Sequence, residues 1–200
     1  MRQGLRYIAE GFRHPTLGVL YVVIFLMSLG FNFFTQFFQV YLIEKFDFDR
    51  VQVGNLFAYI GLWAAFSQGL VQRWLCRWFG PYAILRVAAL TLGLFLPVLL
   101  LPEQPHYLYW LIPLVSVSQG LKQPNITSLI SLQAGPDQQG RTLGIMQSMQ
   151  SLALILPPLV SGFLNALFIE APILAGSLLT LAGWLLLVLR FGRKPRQQTA

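Results

Sequence analysis

The residues able to do chemistry in this 200-residue chain are few, and most carry no charge. There are two histidines, His14 and His106, and a single cysteine, Cys76. No Ser/His/Asp arrangement, paired carboxylates, Gly-rich phosphate loop or metal-ligand cluster stands out. The chain therefore reads as a non-enzyme with no metal and no cofactor. What it does contain is amides at helical spacing inside apolar sequence. Asn32, Gln36 and Gln39 fall at i, i+4 and i+7, one helical stripe. Ser116, Gln119 and Gln123 make a second stripe, with Ser118, Lys122 and Asn125 beside it. Gly144, Gln147 and Ser151 make a third, with Gln150 adjacent. An amide in hydrocarbon is costly unless partnered, so these stripes must face protein or water rather than lipid. Two readings follow. The amides glue helices to one another, or three stripes line one polar cavity that holds a solute.

Lys122 is the only charge deep in an apolar stretch. At a bilayer centre it costs ~2.5–3.5 kcal/mol on insertion scales. The inner boundary is about 10 residues away, or ~15 Å at helical rise, too far for easy snorkelling. No carboxylate of this chain lies at matching depth. Water in a cavity, an acid on another polypeptide, or a structural lysine are the open possibilities. Two residues on, Pro124 lacks the amide that would bond the carbonyl of Gly120, and Gly120 itself relaxes the helix. This suits a binding site or a gate hinge at the midplane, and equally an ordinary proline kink.

The elements that position these residues are apolar stretches free, or nearly free, of charge. They run about 17–43, 51–72, 81–101, 107–133, 142–169 and 171–189. About 20 residues of helix cross a hydrocarbon core of ~30 Å. Barrel strands would alternate in polarity, whereas Leu90 to Leu101 is apolar on all sides. The predicted fold is an all-α polytopic membrane protein. Residues 1–15 form a cytoplasmic linker-like segment, 16–190 a six-helix transmembrane bundle, and 191–200 a basic cytoplasmic tail.

Charge sets the orientation. Arg2, Arg6, Arg13, Arg73, Arg77, Arg86, Arg141, Arg190, Arg193, Lys194 and Arg196 fall on one side, and only Lys45 and Arg50 on the other. That bias puts both termini in the cytoplasm. The net charge of +7 thus belongs to topology and anionic lipid, not to nucleic acid. Trp74, Trp78 and Tyr82 mark one water boundary, and Tyr107, Tyr109 and Trp110 the other. Asn125-Ile126-Thr127 fits a glycosylation sequon but lies inside a span and is discounted.

The run Gln119-Gly120-Leu121-Lys122-Gln123-Pro124, followed by Ser128 to Ser131, Gly140, Gly144, Ser148, Ser151, Leu152, Pro158 and Gly162, resembles the major facilitator superfamily. The match is to its C-terminal six-helix half, and within the family to the drug/proton antiporter branch that includes the tetracycline exporters. The gap from Arg73 to Leu85 resembles a degenerate copy of the family's cytoplasmic loop motif. Gly80 occupies the later glycine position, while Arg73 stands for the usual first glycine and Arg77 for the usual aspartate. Gly4 to Pro15 resembles the end of the linker joining two halves. The resemblance covers essentially the whole chain.

The resemblance implies alternating access, with two six-helix bundles rocking about a central site. It implies that the first, fourth and fifth spans build the cavity or its gates, and those are the spans whose polar residues give the candidate lining, Asn32, Gln36, Gln39, Gln119, Lys122, Gln123, Asn125, Gln147 and Gln150, with Gly120 and Pro124 as gate or hinge. It also implies a proton bound by carboxylates of the other half, and a place in the bacterial plasma (inner) membrane. The expected function is secondary active transport, by proton-coupled efflux of a small organic molecule. The alternative is a non-transporting interaction subunit or a remnant of a transporter. Since one half cannot close around a substrate, the chain is expected to be a fragment, to pair with a separate N-terminal half, or to form a parallel homodimer.

Overall fold

The computed structural model describes residues 14–165 and 168–192. Arg2, Arg6, Arg13, Arg193, Lys194 and Arg196, most of the linker-like segment and nearly all of the tail lie outside the described residues. Every regular element among the described residues is helical. Six long helices follow one another: α1 (Leu17–Phe46), α2 (Arg50–Phe66), α3 (Pro81–Val98), α4 (Leu108–Gln133), α5 (Gln139–Asn165) and α6 (Ala171–Phe191). α2 continues through one π-helical turn, Ser67–Val71, into a short end, Gln72–Leu75. Four helices are long and apolar enough to cross a membrane: α1, α3, α5 over Gln139–Val160, and α6. α2 has only 17 residues before its π-turn interrupts it. α4 is 26 residues long but is diluted by serines, glutamines and Lys122. The apolar stretch expected over 81–101 is helical only to Val98, one residue after Pro97.

Local chemistry explains the tight connection between α1 and α2. Asp47 ends α1 in the left-handed region at φ 53°, a conformation an aspartate tolerates better than a bulky residue. Its N–H donates to the Ile43 carbonyl at 3.1 Å, and the N–H of Phe48 donates to the Leu42 carbonyl at 3.4 Å. Asp49 then opens α2 with a capping box, accepting from the Gln52 N–H at 2.7 Å while its own N–H donates to Gln52 Oε1 at 2.9 Å. At the same end Lys45 Nζ donates to the Tyr41 hydroxyl and the Leu100 carbonyl, both at 2.7 Å. A lysine read only as outer-side charge therefore also holds the end of α3.

Around the bundle the packing order is α2, α4, α3, α6, α1, α5, with α5 also meeting α4. α1 and α6 approach closely where Gly30 and Gly176 face each other. A Cβ on Gly30 would collide with the Gly176 carbonyl, and one on Gly176 would lie 2.5 Å from the Gly30 carbonyl. Two large apolar clusters fill much of the interior, with two smaller ones around Phe33 and around Ile84. One large cluster holds Leu20, Ile24, Met27, Leu85 and Ile130, and the other Phe34, Phe38, Leu92, Leu96 and Ile112. The middle of the bundle lies between these two.

Three of the five prolines inside these helices are pinned in a way that spacing alone does not reveal. Each proline inside a helix strips the hydrogen bond from the carbonyl four residues back, and in lipid that carbonyl needs another donor. Pro97 frees the carbonyl of Gly93, which accepts from Ser177 Oγ of α6 at 2.7 Å. Pro113 frees that of Tyr109, which accepts from the Tyr59 hydroxyl of α2 at 3.1 Å. Pro158 frees that of Leu154, which accepts from Gln36 Nε2 of α1 at 3.4 Å. Pro124 and Pro157 free those of Gly120 and Ala153, and among the described residues no side chain donates to either. Ser177→Ala removes one such pin and is expected to lower stability by about 1 kcal/mol, read as a shift in the unfolding midpoint in detergent.

Candidate functional site

The middles of α1, α4 and α5 enclose a cavity of about 330 Å³. α1 contributes Ser28, Phe31 and Asn32; α4 contributes Gln119, Lys122 and Gln123; α5 contributes Gln147, Gln150, Ser151 and Leu154. Six of the nine residues expected to line a shared cavity are thus brought together. Helical spacing explains each set, because steps of three and four residues return a side chain to the same face. The cavity is open on the α5 side, where Gln147, Ser151 and Leu154 are exposed.

Three expected lining residues are placed elsewhere. Asn125 is buried against the short end of α2, where its amide exchanges two hydrogen bonds with Gln72, at 2.7 and 3.2 Å. At about 100° per residue it sits roughly 120° around α4 from Gln119, which turns it from the cavity toward α2. Gln36 reaches the Leu154 carbonyl, so it is a pin for α5 beside the cavity rather than part of its wall. Gln39 is exposed toward the C-terminal end of α1. It shares a face with Asn32 but lies seven residues along the helix, ~10 Å higher. The amides thus divide between those that tie helices together and those that line the cavity.

Lys122 reaches from α4 toward α1. Its side chain is 2% exposed, and Nζ donates to the Met27 carbonyl at 3.3 Å and lies 5.1 Å from the centre of the Phe31 ring. No carboxylate among the described residues pairs with it. The ring face and the carbonyl dipole both favour a cation there. Three N–H donors sit on an ammonium, so the Met27 carbonyl leaves others for the cavity that Lys122 lines.

A second cavity of about 260 Å³ adjoins the first. It lies between α1, α2 and α4 and is mostly apolar, with Phe31, Phe34, Phe57, Ile60, Ile112 and Val115 in its wall. Phe31 and Gln119 line both cavities. Gln119 Oε1 and Ser116 Oγ are buried without a hydrogen-bond partner among the described residues. Ser28 could have been found in the sequence, standing four residues before Asn32 on the same face. Phe31 and this second chamber left no mark, because an apolar residue in an apolar helix carries no signal of which neighbour it meets.

The hinge candidates sit on the contact between α4 and α2. A Cβ on Gly120 would lie 2.8 Å from Ser67 Oγ and 2.9 Å from the Ala64 carbonyl. Ser67, the first residue of the π-turn, donates to the Val117 carbonyl at 3.0 Å. In the loop motif, Arg73 and Arg77 are exposed, and Gly80 caps α3 in extended conformation ahead of Pro81. A Cβ on Gly80 would meet nothing within 4 Å, so packing does not require glycine there.

Residues 20–200 match the family model of the Major Facilitator Superfamily. The chain belongs to that superfamily. The tetracycline resistance protein of class E from Escherichia coli is 29% identical over 150 residues, covering 75% of this chain and 36% of that protein. Major facilitator superfamily domain-containing protein 10 of Mus musculus is 27% identical over 148 residues, 72% of this chain and 31% of that one. The crystal structure of the human organic anion transporter MFSD10 (TETRAN) superposes with a TM-score of 0.77 at 26% identity, covering 86% of this chain and 40% of that one. A peptide transporter POT structure in complex with sulfate superposes at 0.76 with 18% identity, over 87% and 37% of the two chains, and shows likeness of fold. This superfamily chain spans about a third of the length of the curated relatives it matches. Membership makes it an integral membrane protein of a transporter family.

Proposed function

We propose that this chain is one six-helix half of a secondary active transporter, with all six helices crossing the membrane and both termini in the cytoplasm. It works by alternating access with a second bundle, an N-terminal six-helix half or a second parallel copy. The cargo is a small organic molecule, moved outward by exchange for protons that bind carboxylates of that second bundle. The setting is a bacterial inner membrane. The observation that carries this reading is the polar cavity at mid-height between α1, α4 and α5. Polar side chains gathered there mark a solute path rather than a structural core. A second bundle suits the uncovered faces. Leu56 is the single buried residue of α2, and Leu154, Ile155 and Leu159 of α5 are exposed beside the cavity. Gly120 and Pro124 serve as the hinge of α4, supported by the unpinned Gly120 carbonyl, whereas the bends at Pro97, Pro113 and Pro158 are tied to neighbouring helices.

Accumulation of labelled tetracycline, dyes and organic acids in cells tests the reading. Cells expressing the chain together with a candidate N-terminal half should accumulate less of at least one compound, and a protonophore should erase the difference. Asn32→Trp, which fills the cavity, should erase it too. Unchanged accumulation in the presence of a folded partner half would overturn the reading.

A further inference from the structure

We propose that the two adjoining cavities take an amphipathic organic anion, its charged group at Lys122, a hydrogen-bond donor at Gln119 Oε1, and its apolar body among Phe31, Phe34 and Phe57. The inference deepens the transport reading and rests on it. Three observations point the same way. Lys122 is buried with no carboxylate partner among the described residues, yet it lines the polar cavity. None of the residues lining either cavity is acidic. A buried ammonium without a counter-charge is costly, and an anionic ligand supplies that counter-charge on binding. The amide N–H groups of Asn32, Gln123, Gln147 and Gln150 can complete the shell around a carboxylate.

The second chamber sets the rest of the ligand. Its wall is aromatic and aliphatic, which suits a flat apolar group. Gln119 stands where the chambers meet, and its orphaned carbonyl oxygen is completed by an N–H or O–H on the ligand. Ser116, Gln119 and Lys122 follow one another at three-residue steps along α4. From the first to the last is ~9 Å at helical rise. An aromatic acyl amino acid, with carboxylate, amide N–H and ring in that order, has the matching length and sequence of groups.

Hippurate (benzoylglycine) is the probe. The 200-residue chain, reconstituted in lipid nanodiscs with the second bundle used in the accumulation assay, is titrated calorimetrically with hippurate, with neutral hippuramide, with N-methylhippurate, with N-acetylglycine and with the cation N-(2-aminoethyl)benzamide. Hippurate should bind about tenfold or more tighter than each of the others, the scale of one charge-assisted hydrogen bond lost or one apolar group removed. In Lys122→Gln the preference for hippurate over hippuramide should vanish, and in Lys122→Arg it should persist. The ligand series on the unsubstituted chain stands even if a variant misfolds. Failure of hippurate to bind, equal binding of hippuramide, or tighter binding of the cation would overturn the substrate class. Binding of the neutral or cationic probe, lost in Asn32→Trp, would leave the transport reading standing without it.

Discussion

Gly176→Val is expected to lower the stability of the bundle by about 3 kcal/mol and to abolish transport with it. The new Cβ would lie 2.5 Å from the Gly30 carbonyl and 3.3 Å from Phe33 Cβ. Neither the backbone of a neighbouring helix nor a carbon fixed to it can step aside. Overpacking in cores costs ~1–3 kcal/mol, and a clash with backbone belongs at the upper end. The consequence reaches the cavity, because Ser28 and Asn32 flank Gly30 on α1. Pushing α1 off α6 therefore moves one wall of the site. Gly54→Val is the control. A Cβ there would meet nothing within 4 Å, so the change should stay within about 0.5 kcal/mol. Unfolding midpoints of both variants in detergent decide the matter. Equal midpoints would mean that α1 and α6 do not meet at Gly30 and Gly176.

Lys122→Met is expected to move stability and function in opposite directions. The ammonium costs ~2.5–3.5 kcal/mol to place at the bilayer centre. The hydrogen bond to Met27 returns about 1 kcal/mol and the Phe31 ring ~0.5–1. The balance leaves the methionine variant more stable by about 0.5–2 kcal/mol, since methionine fills the same space without a charge to desolvate. Transport of an anionic compound should fall by at least about tenfold, the loss of one charged contact. A residue that destabilises its fold while enabling its activity is the usual sign of a functional site. Loss of stability on Lys122→Met would instead make the lysine a structural tie between α4 and α1. Full transport would remove it from the site.

How much of the site was legible depended on which property a residue showed. Asn32, Gln119, Lys122, Gln123, Gln147 and Gln150 announce themselves because polarity in an apolar helix is costly, and the helical period then groups them by face. Asn125 shows the same polarity and misleads, because an amide satisfied by Gln72 looks in sequence like an amide facing water. Gln36 misleads in a related way. Its spacing is right, but its partner is the Leu154 carbonyl, and that partnership follows from Pro158 on a helix 118 residues away. Gln39 fails on height, which a period measures poorly.

Charge, hydropathy and spacing were enough to reveal an all-helical membrane protein with polar faces on its first, fourth and fifth helices, because burial and solvation act on each residue type wherever it sits. The runs around Gln119 and Gly144 were enough to point to the superfamily. Tertiary contact decided which amides became cavity wall and which became pins. It joined an aromatic chamber to the polar one through Phe31 and Gln119, and set Lys122 against Met27 and Phe31 with no acid among the described residues beside it. Those outcomes depend on which helix lies opposite and at what depth, and a pattern along one chain carries neither.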